Sequence, residues 1–227
     1  MIGDAPPPGV VAARLEVVRD RIAGAGRDPD DVRVVAVTKG FGVDAVLAAR
    51  DAGLGDIGEN YAPELVAKHA AVAEARSTAR LRWHYLGAVQ RRRVRTLAPL
   101  VSWWETLARA VEGTAIAAHA PGATVLVEVD TTGLPGRNGA AVAEVPGLVA
   151  ALREAGLHVA GLMTVAPPGE PEEARPGFRT TAHLARDLGL AELSMGMTGD
   201  LEVALQEGAT IVRVGRALFG ERPPKTR

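Results

Sequence analysis

Residues 140–163 read AAVAEVPGLVAALREAGLHVAGLM and contain one complete unit of the predicted fold. Apolar residues at helical spacing predict a helix over 140–154. Its apolar face consists of Val142, Val145, Val149 and Leu152. Gly156 follows at the position where glycine closes a helix in the left-handed conformation. The apolar run 158–163 then predicts a parallel strand that is buried on both faces.

The same order of helix, glycine and strand recurs along the chain. Three more glycines follow helical stretches, namely Gly53, Gly189 and Gly208. Repeated alternation of helix and strand indicates βαβ units and a parallel sheet. The predicted helices cover 10–24 (apolar face Val11, Leu15, Val18 and Ile22), 43–52, 61–76, 90–98, 106–118, 140–154, 174–188 and 200–207. The predicted strands cover 32–38, 54–58, 82–86, 100–104, 124–129, 158–163, a short strand ending at Leu193, and 210–214.

Eight candidate strands with helices between them predict an α/β fold, a single (β/α)8 barrel of the TIM type. An open doubly wound sheet is the alternative, and it would carry a glycine-rich turn after its first strand. Residues 38–42 read TKGFG, which matches such a turn only weakly. We expect one domain over 1–227, with flexible ends at 1–9 and 221–227 and exposed loops at 131–139 and 166–177.

The composition excludes several classes of function. A net charge of −1 gives no general attraction to nucleic acid or to an anionic membrane. The chain has no cysteine, which rules out disulfides and thiolate catalysis and fits a cytoplasmic protein. We expect no signal peptide, no membrane helix and, from the histidine spacing, no metal site. The basic run 91–95 lacks a nucleic-acid motif and predicts a solvated helix face.

Lys39 is the main candidate for chemistry. Barrel active sites lie at the carboxyl ends of the strands, and Lys39 directly follows the first predicted strand. Only two other lysines occur in the chain, Lys68 and Lys225. Partial desolvation at a strand end favours the neutral amine that a Schiff base requires. The alternative is a lysine whose long side chain simply reaches water.

The ends of the last two predicted strands suit a phosphate group. In barrels, phosphates often bind to the loops that follow strands seven and eight. Small residues concentrate there, namely Ser194, Gly196, Thr198 and Gly215. Arg213 ends an apolar strand, where its charge needs a partner. It could donate to the pyridine nitrogen of a cofactor or pair with a carboxylate such as Glu128 or Glu59.

Six segments together resemble the pyridoxal phosphate homeostasis protein family. They are residues 35–39 (VAVTK), 58–61 (GENY), 83–87 (WHYLG), 161–164 (GLMT), 194–197 (SMGM) and 212–215 (VRVG) followed by 218–220 (LFG). The segments run in family order over nearly the whole chain. The resemblance implies a barrel like the N-terminal domain of alanine racemase. It also implies a protein that supplies or buffers pyridoxal 5′-phosphate (PLP) without efficient catalysis.

The resemblance also implies roles for particular residues. Lys39 would form the Schiff base with PLP, Arg213 would face the pyridine nitrogen, and Asn60 would lie near the ring. The phosphate would be surrounded mainly by backbone groups of Ser194, Met197, Gly215 and Arg216. The sequence departs from the family pattern at 91–93, at 102–105, at Gly199, and at Arg216 where threonine is usual.

Three functions remain open at this point. The first is a non-catalytic carrier, expected to be a monomer that passes PLP to apo-enzymes. It is favoured because the chain ends soon after its last predicted strand, without the second domain that a racemase of this type uses. The second is a racemase-like PLP enzyme that draws a second base from Tyr61, Tyr85 or His84. The third is a barrel that binds a phosphorylated metabolite without a Schiff base.

Overall fold

The computed structural model describes Gly3, residues 5–75 and residues 81–221. The strands are β1 (Arg33–Val37), β2 (Asp56–Glu59), β3 (Arg82–Tyr85), β4 (Trp103–Leu107), β5 (Thr124–Asp130), β6 (Ala140–Ala141), β7 (His158–Met163), β8 (Glu192–Ser194) and β9 (Ile211–Val214). The α-helices are α1 (Pro8–Gly24), α2 (Val43–Asp51), α3 (Ala62–Glu74), α4 (Arg91–Leu97), α5 (Ala110–Ala117), α6 (Val145–Glu154), α7 (Arg175–Asp187), α8 (Leu201–Gln206) and α9 (Arg216–Phe219).

All strands except β6 form one closed parallel barrel. Their order around the barrel is β4-β3-β2-β1-β9-β8-β7-β5, and β5 pairs back to β4. The first and last strands pair in parallel, with Val35 opposite Arg213. Closure leaves no unpaired edge among these strands. The predicted (β/α)8 barrel is therefore confirmed, and the open-sheet alternative is wrong.

The alternation of side chains along each strand divides the core into two parts. The larger cluster lies between the barrel and its helices and includes Val212 and Val214 of β9. A small inner cluster includes Ile211 of the same strand together with Val35. Because successive residues point to opposite faces, Arg213 projects into the barrel interior, two residues beyond Ile211. Burial of the apolar strands thus places one arginine inside the barrel.

The glycines expected to end helices adopt the predicted conformation. Gly53, Gly156, Gly189 and Gly208 have φ values between 64° and 97°. This left-handed region is readily accessible only to glycine. The predicted apolar face of α1 is also buried. These glycines thus define where the helices end and where the strands that follow them can begin.

The predicted boundaries around β4 are wrong. The strand covers 103–107 rather than 100–104, and α5 begins at Ala110 rather than at 106. The amides of Leu100 and Val101 both donate to the Leu97 carbonyl, so the turn after α4 occupies the first predicted strand positions. The strand therefore starts later and includes Glu105.

The predicted helix 140–154 also starts later than expected. Ala140 and Ala141 pair with the end of β5, and a 3-10 turn precedes α6. Val142 is 37% exposed, so its predicted place on the buried face is wrong. Leu148 is buried on that face with Val145, Val149 and Leu152.

The predictions for the chain ends are tested only in part. Residues 1, 2, 4 and 222–227 lie outside the described residues, and α1 already begins at Pro8. The single domain over 1–227, with its flexible ends, stays a prediction. Within Gly3, 5–75 and 81–221, the helices are too short or too polar to cross a membrane.

Candidate functional site

A cavity of about 770 Å³ opens at the carboxyl ends of the strands. It brings together most of the predicted binding residues. Those that line it are Lys39, Asn60, Met197, Arg213, Gly215 and Arg216. They come from the ends of β1, β2, β8 and β9, and the pairing of β1 with β9 brings the first two strands next to the last two. Residues 165–171, from the loop after β7, form part of the wall.

Lys39 lies in a tight turn directly after β1. The Phe41 amide donates to the Thr38 carbonyl at 3.1 Å, and Gly40 has a φ of 82°. Thr38 is fully buried, whereas Lys39 is half-buried and lines the cavity. The turn therefore places the amine of this side chain at the mouth of the barrel.

Arg213 is held inside the barrel below the cavity. Its Nη1 donates to Ser194 Oγ at 2.8 Å, and its Nη2 donates to the Thr164 carbonyl at 2.9 Å. Burial lowers the pKa of Arg213, although nearby carboxylates, chiefly Glu105, oppose that change. An arginine remains protonated at neutral pH even so. The guanidinium is thus a fixed cation on the floor of the cavity.

The two carboxylates suggested as ion-pair partners of Arg213, Glu59 and Glu128, are hydrogen-bonded to other side chains. Glu59 makes an ion pair with Lys68 instead, at 2.5 Å. Glu128 lines the cavity and accepts a hydrogen bond from the Asn138 side chain. Its charge still acts on Arg213 through space. Burial raises the pKa of Glu128, although the hydrogen bond from Asn138 and the charge of Arg213 oppose that change.

Below Arg213, a row of buried polar groups crosses the barrel interior, and we call it the interior network. Ser194 Oγ donates to Glu105 Oε2 at 2.5 Å. Glu105 Oε1 is hydrogen-bonded to His84 Nδ1, and His84 Nε2 lies 2.8 Å from Asp56 Oδ1. Arg82 reaches Asp56 from the opposite end of the barrel. The network comprises Arg213, Ser194, Glu105, His84 and Asp56.

The charges in the interior network balance each other. Both ring nitrogens of His84 face carboxylate oxygens, which accept hydrogen bonds but cannot donate them. Burial lowers the pKa of His84, but the bonds to Asp56 and Glu105 outweigh burial and leave the pKa raised. Burial likewise works to raise the pKa of Asp56 and Glu105, while their bonds to His84 leave both lowered. His84 is therefore an imidazolium between two carboxylates.

The network predicts a pH optimum of stability in mild acid. Asp56 and Glu105 have lowered pKa values, so their contribution exists above about pH 4 and is lost as the pH falls. His84 has a raised pKa, so its contribution is complete below about pH 6.5 and is lost as the pH rises through the folded-state value. We expect the free energy of unfolding in urea to be greatest between about pH 5 and 6.5.

His84→Gln tests which group causes the alkaline decline. A neutral amide at position 84 cannot lose a proton, so the decline above about pH 6.5 should become shallower in this variant. Equal alkaline slopes in the variant and the parent protein would contradict the assignment of charge to His84.

Ser194 is the one predicted binding residue that does not line the cavity. Its side chain is fully buried, and its hydroxyl links Glu105 to Arg213. The expectation that its backbone lies around the phosphate stays a prediction. Its side-chain hydroxyl supports Arg213.

Glu105 was missed as a functional residue because of the boundary error at β4. The sequence places it between a predicted strand and a predicted helix, whereas it lies within β4 with 0% exposure. Trp103, two residues earlier, stacks on His84 with the ring centroids 5.5 Å apart. A period of two from Trp103 to Glu105 is the signal that could have placed both side chains inside the barrel.

The loop after β8 is held by an internal hydrogen bond and by a second one to the first turn of α9. The Met197 amide donates to Asp200 Oδ1 at 2.5 Å, and the Ala217 amide donates to Thr198 Oγ1 at 3.3 Å. A Cβ atom on Gly215 would lie 3.1 Å from the Val37 carbonyl oxygen, so this turn approaches β1 closely. Arg216 is exposed, with Nη1 3.7 Å from Glu221. Its side chain therefore lies at the entrance.

Comparisons with known proteins give the family. The family model "Alanine racemase, N-terminal domain" matches residues 11–223. The pyridoxal phosphate homeostasis protein of Pseudomonas aeruginosa is 36% identical over 220 residues, covering 93% of each chain. The chain belongs to the pyridoxal phosphate homeostasis protein family. The Deinococcus radiodurans protein of this name is 37% identical and is covered over 99% of its length.

A solved structure supports the same relationship for the whole barrel. PipY of Synechococcus elongatus PCC7942, determined with PLP bound, is 29% identical. The comparison has a TM-score of 0.80 and covers 92% of this chain and 100% of PipY. This member of the pyridoxal phosphate homeostasis protein family thus shares its complete fold with a PLP-bound protein.

Asn60 lines the cavity, and one of its side-chain polar atoms has no hydrogen-bond partner in the described part of the chain. Its Nδ2 donates to the Leu86 carbonyl at 3.2 Å, which fixes the amide. Its Oδ1 is buried and makes no hydrogen bond with residues 5–75 or 81–221. A buried acceptor left without a donor is costly. In this member of the family, a ligand in the cavity that carries an N–H or O–H group could donate the missing hydrogen bond to Asn60 Oδ1.

Gly87 is required where the chain, just after β3, passes the backbone of Asn60. A Cβ atom at Gly87 would lie 2.0 Å from the Asn60 carbonyl oxygen, so one backbone must move. We expect Gly87→Ala to lower the free energy of unfolding by about 1–3 kcal/mol, measured by urea denaturation. Gly147→Ala, in α6 with open space around it, is the control and should be neutral or stabilising. Equal values for the two variants would refute the close approach.

Proposed function

We propose that this chain binds PLP covalently through Lys39 and takes part in PLP homeostasis rather than in efficient catalysis. The observation that carries the proposal is the cavity that joins Lys39, Asn60 and Arg213 to the Gly215 turn. PLP homeostasis proteins that cover nearly the same length, and a PLP-bound relative of the same fold, support it. When bound, PLP supplies an aldehyde that condenses with Lys39 Nζ and releases water.

The residues present fit such a cofactor. Arg213 offers guanidinium N–H groups to the ring nitrogen. Asn60 Oδ1, which has no hydrogen-bond partner among the described residues, can accept a hydrogen bond beside the ring. The backbone near Met197, Gly215 and Arg216 would surround the phosphate. A Cβ atom at Gly215 would lie 3.1 Å from the Val37 carbonyl oxygen, so a larger residue there would have to displace β1 by a few tenths of an ångström.

The state of Arg213 favours holding the cofactor over transforming it. An arginine donates hydrogen bonds but does not give up its proton, so it leaves a pyridine nitrogen uncharged. An uncharged ring withdraws electrons less strongly than a protonated one. The interior network fixes this cation through Ser194 and the balancing charge of Glu105.

The candidate second bases of a racemase are poorly placed. His84 lies in the interior network below Arg213, between Asp56 and Glu105. Tyr85 is buried on the outer side of the barrel against Trp104. Tyr61 is 41% exposed and is not among the residues that line the cavity. These positions support the non-catalytic carrier over the racemase-like alternative.

Borohydride reduction followed by peptide mapping tests the proposal. Purified protein is incubated with PLP, reduced, digested and analysed by mass spectrometry. We expect one pyridoxyl group on the Lys39 peptide and none on the Lys68 peptide, because Lys68 is only 5% exposed. Absence of label at Lys39 would overturn the proposal and favour a barrel that binds a phosphorylated metabolite without a covalent bond.

A turnover assay tests the proposal that the protein does not catalyse efficiently. The PLP-loaded protein is incubated with a panel of L-amino acids, and D-isomers and keto acids are measured. We expect rates close to those of PLP alone. Rates far above that background would show that the racemase-like alternative is correct.

The proposal extends to partners and location. We propose a monomer that passes PLP to apo-forms of PLP-dependent enzymes in the cytoplasm. The lack of cysteine and the exposed Arg216 at the cavity entrance support this view. Light scattering during gel filtration measures the mass, and reactivation of an apo-enzyme by the loaded protein measures transfer. A stable dimer, or reactivation no faster than with free PLP, would contradict it.

A further inference from the structure

Lys68 is buried next to the turn that carries Lys39. It lies on α3, is 5% exposed, and points between that helix and the barrel. Its Nζ donates to the Thr38 carbonyl at 2.8 Å and to Glu59 Oε1 at 2.5 Å. A third, longer contact of 3.4 Å reaches Glu64 Oε2. The ammonium therefore contacts the residue that directly precedes Lys39.

Two hydrogen bonds hold the backbone on both sides of Lys39, and a third holds the side chain of Thr38. Lys68 binds the Thr38 carbonyl, which belongs to the peptide bond leading into Lys39. Glu64 Oε2 accepts from the Gly40 amide at 2.9 Å, which belongs to the peptide bond leaving Lys39. Glu59 Oε1 accepts from Thr38 Oγ1 at 2.5 Å. Lys68, Glu59 and Glu64 thus form one group around the turn, which we call the Lys68 cluster.

Stability alone does not account for the Lys68 cluster. Moving two charges out of water costs several kcal/mol per ion, and well-packed apolar residues often serve stability equally well. Glu59 is fully buried, and its Oε2 has no hydrogen-bond partner in the described residues. Burial raises the pKa of Glu59, and Lys68 and Thr38 only partly oppose it. Burying these charges therefore costs free energy, which indicates that the cluster has a role other than stabilising the fold.

The geometry is that of a support for a reactive side chain. A side chain that must meet a bound group at one position loses affinity when its backbone can rotate. Both peptide planes that flank Lys39 are fixed by charged groups, which make the stronger hydrogen bonds. Lys68 and Glu64 both lie on α3, and each binds one backbone group of the turn, so together they restrict that rotation.

We propose that Lys68, through Glu59 and Glu64, is a positioning residue that directs Lys39 into the cavity. This inference rests on the proposed covalent binding of PLP by Lys39. It assigns Lys68 a role that does not require contact with PLP. It also explains why a second lysine next to the site stays paired with carboxylates.

Lys68→Met tests the inference, because methionine keeps an unbranched chain without the charge. We expect the Kd for PLP to rise, and the rate of adduct formation at Lys39 to fall, by about ten- to a hundredfold, as expected from losing one or two charged hydrogen bonds. Binding is followed by absorbance and by borohydride trapping. At saturating PLP, Lys39 should still take up one pyridoxyl group. Lys68→Arg should recover part of the loss.

Val72→Ala is the matched control. Val72 is buried on the same helix, one turn beyond Lys68, and belongs to the apolar core rather than to the Lys68 cluster. It should lower the free energy of unfolding without changing the rate of PLP capture. A similar slowing in Val72→Ala would mean that general destabilisation explains the effect, and the inference would fall.

The remaining outcomes separate the inference from the proposed function. If the parent protein is labelled at Lys39 and Lys68→Met captures PLP at the parental rate, the positioning role is wrong and the proposed function stands. If the parent protein is not labelled at Lys39, both fail. If Lys68→Met does not fold, Glu64→Ala replaces it, since this carboxylate is partly exposed and binds the Gly40 amide. An unchanged capture rate in that variant would also overturn the inference.

Discussion

Glu105→Ala is expected to lower the free energy of unfolding by about 3–5 kcal/mol, the usual cost of removing one partner from a buried ion pair. Glu105 has 0% exposure and lies between His84 and the Ser194 hydroxyl. Without it, the charge of Arg213 loses its main buried counterion. His84 keeps only Asp56 as a partner, so its imidazolium becomes less favourable. Urea denaturation at pH 6 measures the loss.

Two further variants make this result specific. Glu154→Ala removes an exposed carboxylate at the end of α6 and should change the free energy of unfolding by less than about 0.5 kcal/mol. Combining Glu105→Leu with His84→Leu removes a cation and an anion together. The double change should cost less than the sum of the two single changes. Additive losses would show that the two side chains do not interact.

The repeating local signals explain how much of the fold could be predicted. The spacing of apolar residues and the glycines at 53, 156, 189 and 208 depend on short stretches of chain. Closure of the barrel could be inferred from the number of units, because eight βα units fill one closed sheet. The start of β4 could not be predicted, since hydrogen bonds to Leu97 decide where the preceding turn ends. Such bonds have no clear pattern in the sequence.

The candidate site also has a part that the sequence predicts and a part that it does not. Lys39, Asn60 and Arg213 stand at strand ends, and the barrel topology alone brings strand ends together. The supports of these residues come from other positions. Glu105 reaches Arg213 across the barrel through Ser194, and Lys68 reaches the Lys39 turn from α3. These contacts depend on the orientation of side chains across the fold, which periodicity in one strand or helix does not specify.

The largest functional effect is expected from Lys39→Ala. With no amine at this position, covalent capture of PLP should fall to background in borohydride trapping. Lys68 cannot substitute, because it is buried and paired with Glu59. Weak non-covalent binding should persist through Arg213 and the loops after β8 and β9. PLP at high concentration should therefore still occupy the cavity of this variant. Lys39→Arg, which keeps the positive charge but not the primary amine, should lose covalent capture equally.

Ligand-dependent stability supplies an independent measure of the same change. A ligand present at about a hundred times its Kd stabilises the folded state by about 2.7 kcal/mol. The parent protein should show this increase in urea at a PLP concentration at which Lys39→Ala shows little. If both proteins are stabilised equally, the covalent bond contributes nothing to affinity and the phosphate loops alone hold the ligand. If Lys39→Ala is labelled on another lysine to the parental extent, the cavity around Lys39 is not the binding site.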